Sequence, residues 1–263
     1  MKILGGVPTR LRSTGGAVAD LLADVCDEVV VVSQGATVRC NKKNVSLLER
    51  PVDIGMKRAR NTIFEYADHV GAEYIFQSDD DLKFKPSVLE LMLDIMQEEP
   101  SLGSLSSCPR VYANWEKDIE CTKNFLVFQC PTQLWVVRRQ AIVETGMLDI
   151  DVLEDIELGL RMWKKGWVLG KLHAGIEFVH NPFINRIGKG DEQGGQPESL
   201  RQRELPNSVK YIWDNHKDIL STFAVATSGN RTYTARYNWS KMCEIAHNRW
   251  GDIGYEDSKG RVI

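Results

Sequence analysis

The chain has 263 residues, 43% of them hydrophobic and 26% charged, with a formal net charge of -3, which predicts a globular protein and gives no global case for nucleic acid binding. No apolar run approaches the length of a membrane span, and the opening MKILGG lacks the apolar stretch of a signal peptide. The six cysteines show no CxxC spacing and favour reduced thiols. We therefore expect a cytoplasmic protein without a membrane segment; the sequence sets no oligomeric state.

Strands and helices alternate through roughly the first hundred residues. Apolar runs predict strands, and apolar residues at helical spacing predict helices. In chain order the strands are Lys2–Val7, Glu28–Ser33, Val45–Leu48 and Tyr74–Phe76, and the helices are Ala17–Val25, Gly55–Val70 and Ser87–Gln97. This alternation predicts an α/β fold with a mostly parallel sheet flanked by helices.

The second half of the chain is less regular. Strands are predicted at Leu102–Val111, Phe125–Gln129, Leu134–Val137 and Gly175–Val179, and helices at Arg139–Glu144, Asp155–Lys165, Pro206–Leu220 and Trp239–Trp250. The polar, glycine-rich stretch Asn181–Gln202 predicts a long mobile loop. We expect a catalytic domain at 1–182 and a mainly helical C-terminal extension at 183–263.

Three consecutive carboxylates follow the predicted strand Tyr74–Phe76. Asp79, Asp80 and Asp81 repel one another, and burial disfavours their charges. Their position after a buried strand therefore requires a physical explanation. Magnesium and manganese prefer carboxylate and phosphate oxygens, and α/β folds place ligands at the carboxyl ends of strands. Alternation along extended backbone predicts that Asp79 and Asp81 face one way and Asp80 the other. An acidic surface loop is the alternative interpretation.

A second acidic pair, Glu154 and Asp155, opens a predicted helix. Helix N-termini favour negative charge, so capping alone is one explanation. Beside a metal site, a partly desolvated carboxylate at this position is instead a candidate general base.

Histidine and arginine side chains are the other candidate site residues. His180 follows a predicted strand, where its imidazole could complete a coordination shell begun by Asp81, although a lone histidine is more often a polar filler. Arg10, Arg58 and Arg60 could meet a diphosphate beside the metal. For two other cations, Arg12 and Lys57, we expect a solvated surface position.

The order of these motifs resembles the GT-A glycosyltransferases, close to glycosyltransferase family 2. The resemblance spans about residues 3–180 and rests on PTR, GMKRARN, YIFQSDDD, VVRR, TGMLD, LEDIELGLRMWKKGW and FVH in that order. It implies a nucleotide-sugar donor, Mn2+ or Mg2+ as cofactor, and inversion at the anomeric carbon by single displacement.

The resemblance also implies a role for each site residue. Asp155 would be the catalytic base with Glu154 beside it, and Asp81 and His180 would bind the metal. The donor would be bound by residues of three segments, with Asn61 near the metal strand: Pro8, Thr9, Arg10, Arg60, Asp79 and Asp80. One departure concerns the nucleobase, expected to be uracil. The second strand commonly ends in an acidic residue in this family, whereas here Gln34 stands near that place, and Asp53 could supply the acid.

The acceptor is less defined by the sequence. The tail from Thr222 to Trp250 is basic and aromatic. Against one acid, Glu244, it carries Arg231, Tyr233, Arg236, Tyr237, Trp239, Lys241 and Arg249. Such interleaving suits a phosphate backbone with stacked bases, or else a helix that packs its tryptophan face on the core. Phage-type transferases that modify hydroxymethylated pyrimidines in DNA resemble this chain, so we place a hydroxymethylated pyrimidine in DNA slightly ahead of the other candidate acceptors. A polysaccharide, a lipid-linked sugar and a protein are the others.

Two further classes of protein stay open at this point. A metal-dependent nucleotidyltransferase also pairs acids with an α/β sheet, but it releases pyrophosphate and leaves Glu154–Asp155 unexplained. A non-catalytic module that binds sugar nucleotides would need Asp81 and be insensitive to Asp155.

Overall fold

The computed structural model describes residues 1–52, 54–107, 119–120, 126–127, 133–172, 176–178, 198–225 and 233–251. Its strands are β1 (Ile3–Arg10), β2 (Glu28–Gln34), β3 (Val45–Arg50), β4 (Tyr74–Ser78), β5 (Leu82–Phe84), β6 (Leu102–Ser107), β7 (Ile119–Glu120), β8 (Leu126–Val127), β9 (Leu134–Arg138), β10 (Val168–Leu172), β11 (Ile176–Phe178), β12 (Leu220–Val225) and β13 (Tyr233–Tyr237). Its helices are α1 (Gly15–Leu22), α2 (Gly55–Val70), α3 (Pro86–Glu98), α4 (Arg139–Thr145), α5 (Glu154–Lys164), α6 (Glu198–His216) and α7 (Trp239–Trp250).

A mostly parallel sheet forms the centre of the fold. The strand order is β3-β2-β1-β4-β9-β6-β10-β8-β7, and the first four strands are parallel to one another. Strand β9 runs antiparallel to both of its neighbours, β4 and β6. The four valines of β2 are fully buried, as expected of a strand covered on both faces. The predicted α/β class is therefore confirmed.

The sheet brings three strand ends to one edge. Strands β1, β2 and β4 end at Arg10, Gln34 and Ser78, and in the register of the first pair Arg10 lies opposite Gln34. Because these strands are parallel, the loops that follow their carboxyl ends meet at the same edge of the sheet. The acidic triplet begins in the loop after β4.

The C-terminal part differs from the prediction. Helix α6 begins at Glu198, so residues 198–202 are helical and were wrongly assigned to the loop, and it continues through Pro206 to end at His216. Strands β12 and β13 form an antiparallel hairpin. Strand β12 begins at Leu220, which was predicted to be the last residue of a helix. The extension is therefore mixed, with two helices and a hairpin in its described part. Helix α7 matches its prediction.

Helix α7 is fixed to the central domain by a group of contacts at Arg249, here called the Arg249 clamp. Its guanidinium donates to both carboxylate oxygens of Glu144, at 2.7 and 3.2 Å, and lies 4.2 Å from the ring centre of Trp167. Trp250 donates its indole N–H to the carbonyl of Gly166. At Gly166 φ is +81°, and a Cβ there would lie 2.6 Å from the Arg249 side chain, so glycine is required.

The Arg249 clamp predicts a pH-dependent contribution to stability. The Arg249 hydrogen bond is the main cause that lowers the pKa of Glu144 to about 2. A carboxylate whose pKa is depressed in the folded state stabilises the fold above its unfolded pKa, and that stabilisation is lost as the pH falls through about 4.5 to 2. We expect Glu144→Gln to lower the free energy of unfolding by about 1–2 kcal/mol at pH 7, and by much less near pH 2.

Denaturant unfolding at several pH values measures this effect. The matched control is Glu244→Gln on α7, since Glu244 is exposed and its ion pair is with Lys241 on the same helix. A difference between wild type and Glu144→Gln that stays constant from pH 7 to pH 2 would contradict the prediction.

Candidate functional site

The acidic triplet lies in a turn and not along a strand. Strand β4 ends at Ser78, and Asp79 follows it with its backbone N–H donating to the carbonyl of Gln133, at 2.8 Å. The predicted alternation of side chains is wrong, because it assumed extended backbone. Asp79 faces Arg60, whereas Asp80 and Asp81 both face Arg12.

Arg12 joins two carboxylates of the triplet. One of its terminal nitrogens lies 3.0 Å from Asp80 Oδ1 and 3.0 Å from Asp81 Oδ2. Burial disfavours its charge, but the two carboxylates outweigh burial and raise the pKa of Arg12. The expectation of a solvated surface cation is therefore wrong for Arg12. Lys57 is partly exposed and pairs with Asp151, at 3.3 Å.

Thr9 holds Asp80 on the opposite side. Its hydroxyl is 2.6 Å from Asp80 Oδ2 and 2.9 Å from the carbonyl oxygen of Arg12. Desolvation raises the pKa of Asp80, against the opposing pull of Arg12 and the Thr9 hydrogen bond. Asp80, which was predicted to contact the donor, is thus occupied by Thr9 and Arg12 in this structure.

Arg60 is a buried cation at the centre of the site. It lies on α2 with 6% of its surface exposed, and its two terminal nitrogens reach Asp79 Oδ1 and Glu154 Oε1, each at 3.2 Å. Asp155 is also close enough to interact with its charge. Arg60 therefore connects the acid triplet after β4 to the acid pair that begins α5, two segments far apart in sequence.

The buried carboxylates beside Arg60 have altered proton affinity. Desolvation raises the pKa of Glu154, opposed by Arg60 and reinforced by repulsion from Asp155. The pKa of Asp79 is raised in the same direction, also mainly by desolvation, although its side chain is still 31% exposed. Five carboxylates surround two arginines here, so the site carries more acid than its own cations neutralise.

The backbone is strained at three points around these residues. In the described ranges, the non-glycine residues with positive φ are Leu11, Gln133 and Leu153, at 55°, 49° and 62°. Leu11 precedes Arg12, Gln133 accepts from the Asp79 N–H, and Leu153 precedes Glu154. Such conformations cost of order 1–3 kcal/mol each and persist where surrounding structure enforces them, often at functional sites.

Helix α5 is held in place by contacts on two sides. The Asn61 side-chain amide bonds both the N–H and the carbonyl of Leu148, at 2.9 and 3.0 Å, which fixes the segment before the helix. Asn61 thus anchors this segment, a role that the resemblance did not imply. One turn after Glu154, the fully buried Glu157 pairs with Arg161 and lies 3.4 Å from His216 of α6.

The residues predicted to bind the nucleotide lie along the strand ends. Pro8 is buried in β1 opposite Val32, and Arg10 is the partly buried last residue of the same strand. Gln34 is buried, and its Oε1 has no hydrogen-bond partner among the described residues. A buried orphan acceptor at a strand end is a position where a ligand N–H can bind.

Two predicted site residues, Asp53 and His180, lie outside the described residues. The chain before His180 is placed by β11, which pairs antiparallel with β5 so that Phe178 lies opposite Leu82. Leu82 directly follows Asp81, so β11 leads to the acid triplet.

The excess of carboxylates fits a divalent cation. No group of three His, Cys, Asp or Glu side chains within the described part of the chain could hold a metal alone. Magnesium and manganese need no such group, because one or two carboxylates plus substrate phosphates hold them in many transferase sites. Asp81 is the acid best placed for this. It shares the partly exposed Arg12 with Asp80, whereas Asp80 is also bound by Thr9 and Asp79 by the buried Arg60.

Several basic and aromatic side chains of the tail have partners within the protein, which leaves fewer of them to bind nucleic acid than the sequence predicted. Among the tail residues predicted to bind DNA, Arg249 belongs to the clamp and Tyr237 packs against the core. Lys241 pairs with Glu244, at 2.9 Å. The predicted Arg231 lies outside the described residues. None of the helices in the described part of the chain combines the length and the hydrophobicity that a membrane span needs.

Comparison with known families identifies the central part of the chain. Residues 20–142 match the family model described as Glycosyl transferase family 2. This is just under half of the chain; it includes Arg60 and the acid triplet and ends before Glu154. Comparison with curated protein sequences gives no significant match.

Solved structures share the fold at low sequence identity. Glucosyl-3-phosphoglycerate synthase from Mycobacterium tuberculosis, in complex with Mg2+ and UDP, is 12% identical with a TM-score of 0.55, over 90% of this chain and 87% of that one. The mannosyltransferase PcManGT from Pyrobaculum calidifontis, with GDP-Man and Mn2+, is 15% identical with a TM-score of 0.55, over 82% and 64%. GalNAc-T7, with UDP, GalNAc and Mn2+, is 12% identical with a TM-score of 0.55, over 83% and 50%.

These similarities establish the fold as the Rossmann-like GT-A type. The chain spans less than two thirds of PcManGT and only half of GalNAc-T7, so those proteins contain parts without a counterpart here.

Proposed function

We propose that the protein is a metal-dependent, inverting glycosyltransferase that moves a sugar from a nucleoside diphosphate sugar, expected to be a UDP-sugar, to an acceptor hydroxyl. The observation that carries the proposal is Arg60, which joins Asp79 of the acid triplet to Glu154 of the acid pair at one edge of the sheet. A capping role for Glu154–Asp155 does not account for this connection. The extension 183–263 would form the acceptor side.

The donor would lie along the carboxyl ends of β1, β2 and β4. Gln34 would accept a hydrogen bond from a nucleobase N–H at its orphan Oε1, which suits the imide of uracil. Pro8, Thr9 and Arg10 would line this pocket, and Asp79 would face the ribose. Asp81, with His180, would hold the metal; when bound, the metal offsets charge that develops on the leaving diphosphate.

The reaction itself would be carried by the start of α5. The Asp155 carboxylate takes the proton of the acceptor hydroxyl, whose oxygen forms a bond to the anomeric carbon as the bond from that carbon to the diphosphate oxygen breaks. Attack from the face opposite the leaving group inverts the anomeric centre. Glu154, fixed by Arg60 at 3.2 Å, positions the first turn of the helix that presents Asp155.

A screen of nucleotide sugars with Mn2+ or Mg2+, read out as released nucleoside diphosphate, tests the proposal. We expect Asp81→Ala to weaken metal-dependent donor binding by about 10–100-fold in calorimetry, because it removes a carboxylate ligand. The control is Asp94→Ala, which removes an exposed carboxylate on α3. UDP-sugar binding that is unchanged in Asp81→Ala would contradict the assignment, and release of pyrophosphate would point to a nucleotidyltransferase.

The acceptor hydroxyl is a separate question. A hydroxymethylated pyrimidine in DNA is one candidate, beside a polysaccharide, a lipid-linked sugar and a protein. The Arg249 clamp accounts for Arg249 and Trp250 without DNA, so the tail no longer favours DNA over the others. Donor turnover in the presence of hydroxymethylated DNA, compared with unmodified DNA of the same sequence, decides whether DNA is the acceptor.

A further inference from the structure

One nitrogen of Arg12 stands between two carboxylates of the acid triplet. It lies 3.0 Å from Asp80 Oδ1 and 3.0 Å from Asp81 Oδ2, so a single positive group bridges the pair. Two adjacent acids repel each other, and a cation between them removes that repulsion. This is the same electrostatic task that a divalent cation performs at a pair of acids.

The loop after β1 aims Arg12 at this place. Leu11 has a positive φ of 55°, and its N–H donates to the carbonyl of Gln34, at 3.2 Å. The Thr9 hydroxyl, with its one proton shared between the Arg12 carbonyl oxygen at 2.9 Å and Asp80 Oδ2 at 2.6 Å, holds the loop from the other side. The backbone is therefore fixed at both ends of a strained turn, while the Arg12 side chain is still 23% exposed. The side chain is thus the part of Arg12 that reaches solvent beside the two carboxylates.

The two carboxylates differ in what else binds them. Asp80 also accepts the Thr9 hydroxyl, at 2.6 Å, and its side chain is 10% exposed. The Asp81 side chain is 16% exposed, and Asp81 is the proposed metal ligand. An arginine and a metal cannot both occupy the Asp81 oxygen at close range, since two cations there repel each other.

We infer that Arg12 is an internal counter-cation that competes with the divalent metal for Asp81 and moves to the donor diphosphate when the metal binds. The inference rests on the proposed function and adds a positioning residue to it. Arginine suits the second position because its planar guanidinium binds phosphate oxygens in a bidentate manner. The charge of Asp80 and Asp81 is thus partly offset before the metal binds, and metal and donor bind together more readily than the metal alone.

Arg12→Ala is expected to change the affinities for the metal and for the donor in opposite directions. With Mn2+ alone, Arg12→Ala is expected to bind the metal about 10-fold more tightly than wild type, because the competing cation is gone. With Mn2+ present, the same variant is expected to bind UDP about 10-fold more weakly, because a phosphate ligand is lost. Calorimetry and the paramagnetic resonance signal of free Mn2+ measure both affinities without turnover.

Lys83→Ala is the matched control. Lys83 is an exposed cation on β5, two residues after Asp81, so its removal tests the general loss of one positive charge near the site. If Arg12 only holds the turn together, Arg12→Ala binds Mn2+ alone no better than wild type, and this result overturns the inference. A gain in Lys83→Ala equal to that in Arg12→Ala also overturns it.

The two proposals fail in different ways. If the wild-type protein binds no Mn2+ even with UDP present, the metal-dependent function itself is wrong. If the wild-type protein binds Mn2+ with UDP but Arg12→Ala shows no gain with Mn2+ alone, the proposed function stands and the role of Arg12 is wrong. Arg12→Lys keeps the charge without the planar fork, so it should retain the competition and lose part of the UDP affinity.

Discussion

Asp155→Asn is expected to lower the rate of sugar transfer by about 10²–10⁴-fold, the usual contribution of a positioned general base. Asparagine keeps the size of the side chain and a carbonyl oxygen that can still accept from the Ile156 N–H, now at 2.8 Å from Asp155 Oδ1. It cannot take a proton from the acceptor. The start of α5 should therefore stay in place, and the affinity for the donor with Mn2+ should change by less than about 3-fold.

The control for Asp155→Asn is Asp149→Asn. Asp149 lies on the segment that leads to α5, and its side chain is 53% exposed. The control should transfer sugar at close to the wild-type rate. Single-turnover kinetics and donor titration measure the two quantities separately. A variant Asp155→Asn that transfers sugar normally would show that another group removes the proton, and Glu154→Gln would then be the variant to measure.

The acidic residues of the site could be predicted from the sequence, because each group lies directly beside a predicted strand or helix. The acidic run follows the predicted strand Tyr74–Phe76, the acid pair opens a predicted helix, and the structure brings the two to one place. The contact between them passes through Arg60, which the sequence shows only as one of several basic residues on α2. Its burial depends on how α2 and α5 pack, and this is a tertiary property.

The roles within the triplet were not predictable, because they depend on where β4 ends. Extended backbone through Asp81 gives alternating sides, whereas a turn after Ser78 sends Asp80 and Asp81 to the same arginine. Arg12 was missed for a related reason. Its direction is set by the positive φ of Leu11, and leucine gives no sequence signal for that conformation.

The C-terminal extension shows a different limit of the sequence. Helix α7 carries a clear helical pattern and was predicted with its observed bounds. The hairpin of β12 and β13 was missed because the predicted helix was continued to Leu220 and no strand was assigned after it, although Ser228–Gly229–Asn230 between the two strands is a sequence typical of turns. The Arg249 side chain was a candidate DNA ligand because neither Glu144 nor Trp167 is near it in sequence.

Arg60→Met is expected to have the largest effect on stability, a loss of about 3–5 kcal/mol in the free energy of unfolding at pH 8. Methionine fills much of the same volume, so the loss is electrostatic: Glu154, with 11% of its side chain exposed, is left buried without its cation. Desolvation already raises the pKa of Glu154, and Arg60 is the main influence that opposes the rise. Without Arg60 this pKa rises further.

The sign of the pH dependence follows from that rise. A carboxyl group whose pKa is higher in the folded state binds more protons when folded, so stability falls as the pH rises from the unfolded value of about 4.3 through the raised folded value. The deficit of Arg60→Met should therefore be smaller at pH 5 than at pH 8. Adding Glu154→Gln to Arg60→Met should recover part of it at pH 8, since it removes the uncompensated charge. Equal deficits at pH 5 and pH 8, with no recovery in the double variant, would mean that Arg60 acts through packing and not as the charge that joins the two acidic segments.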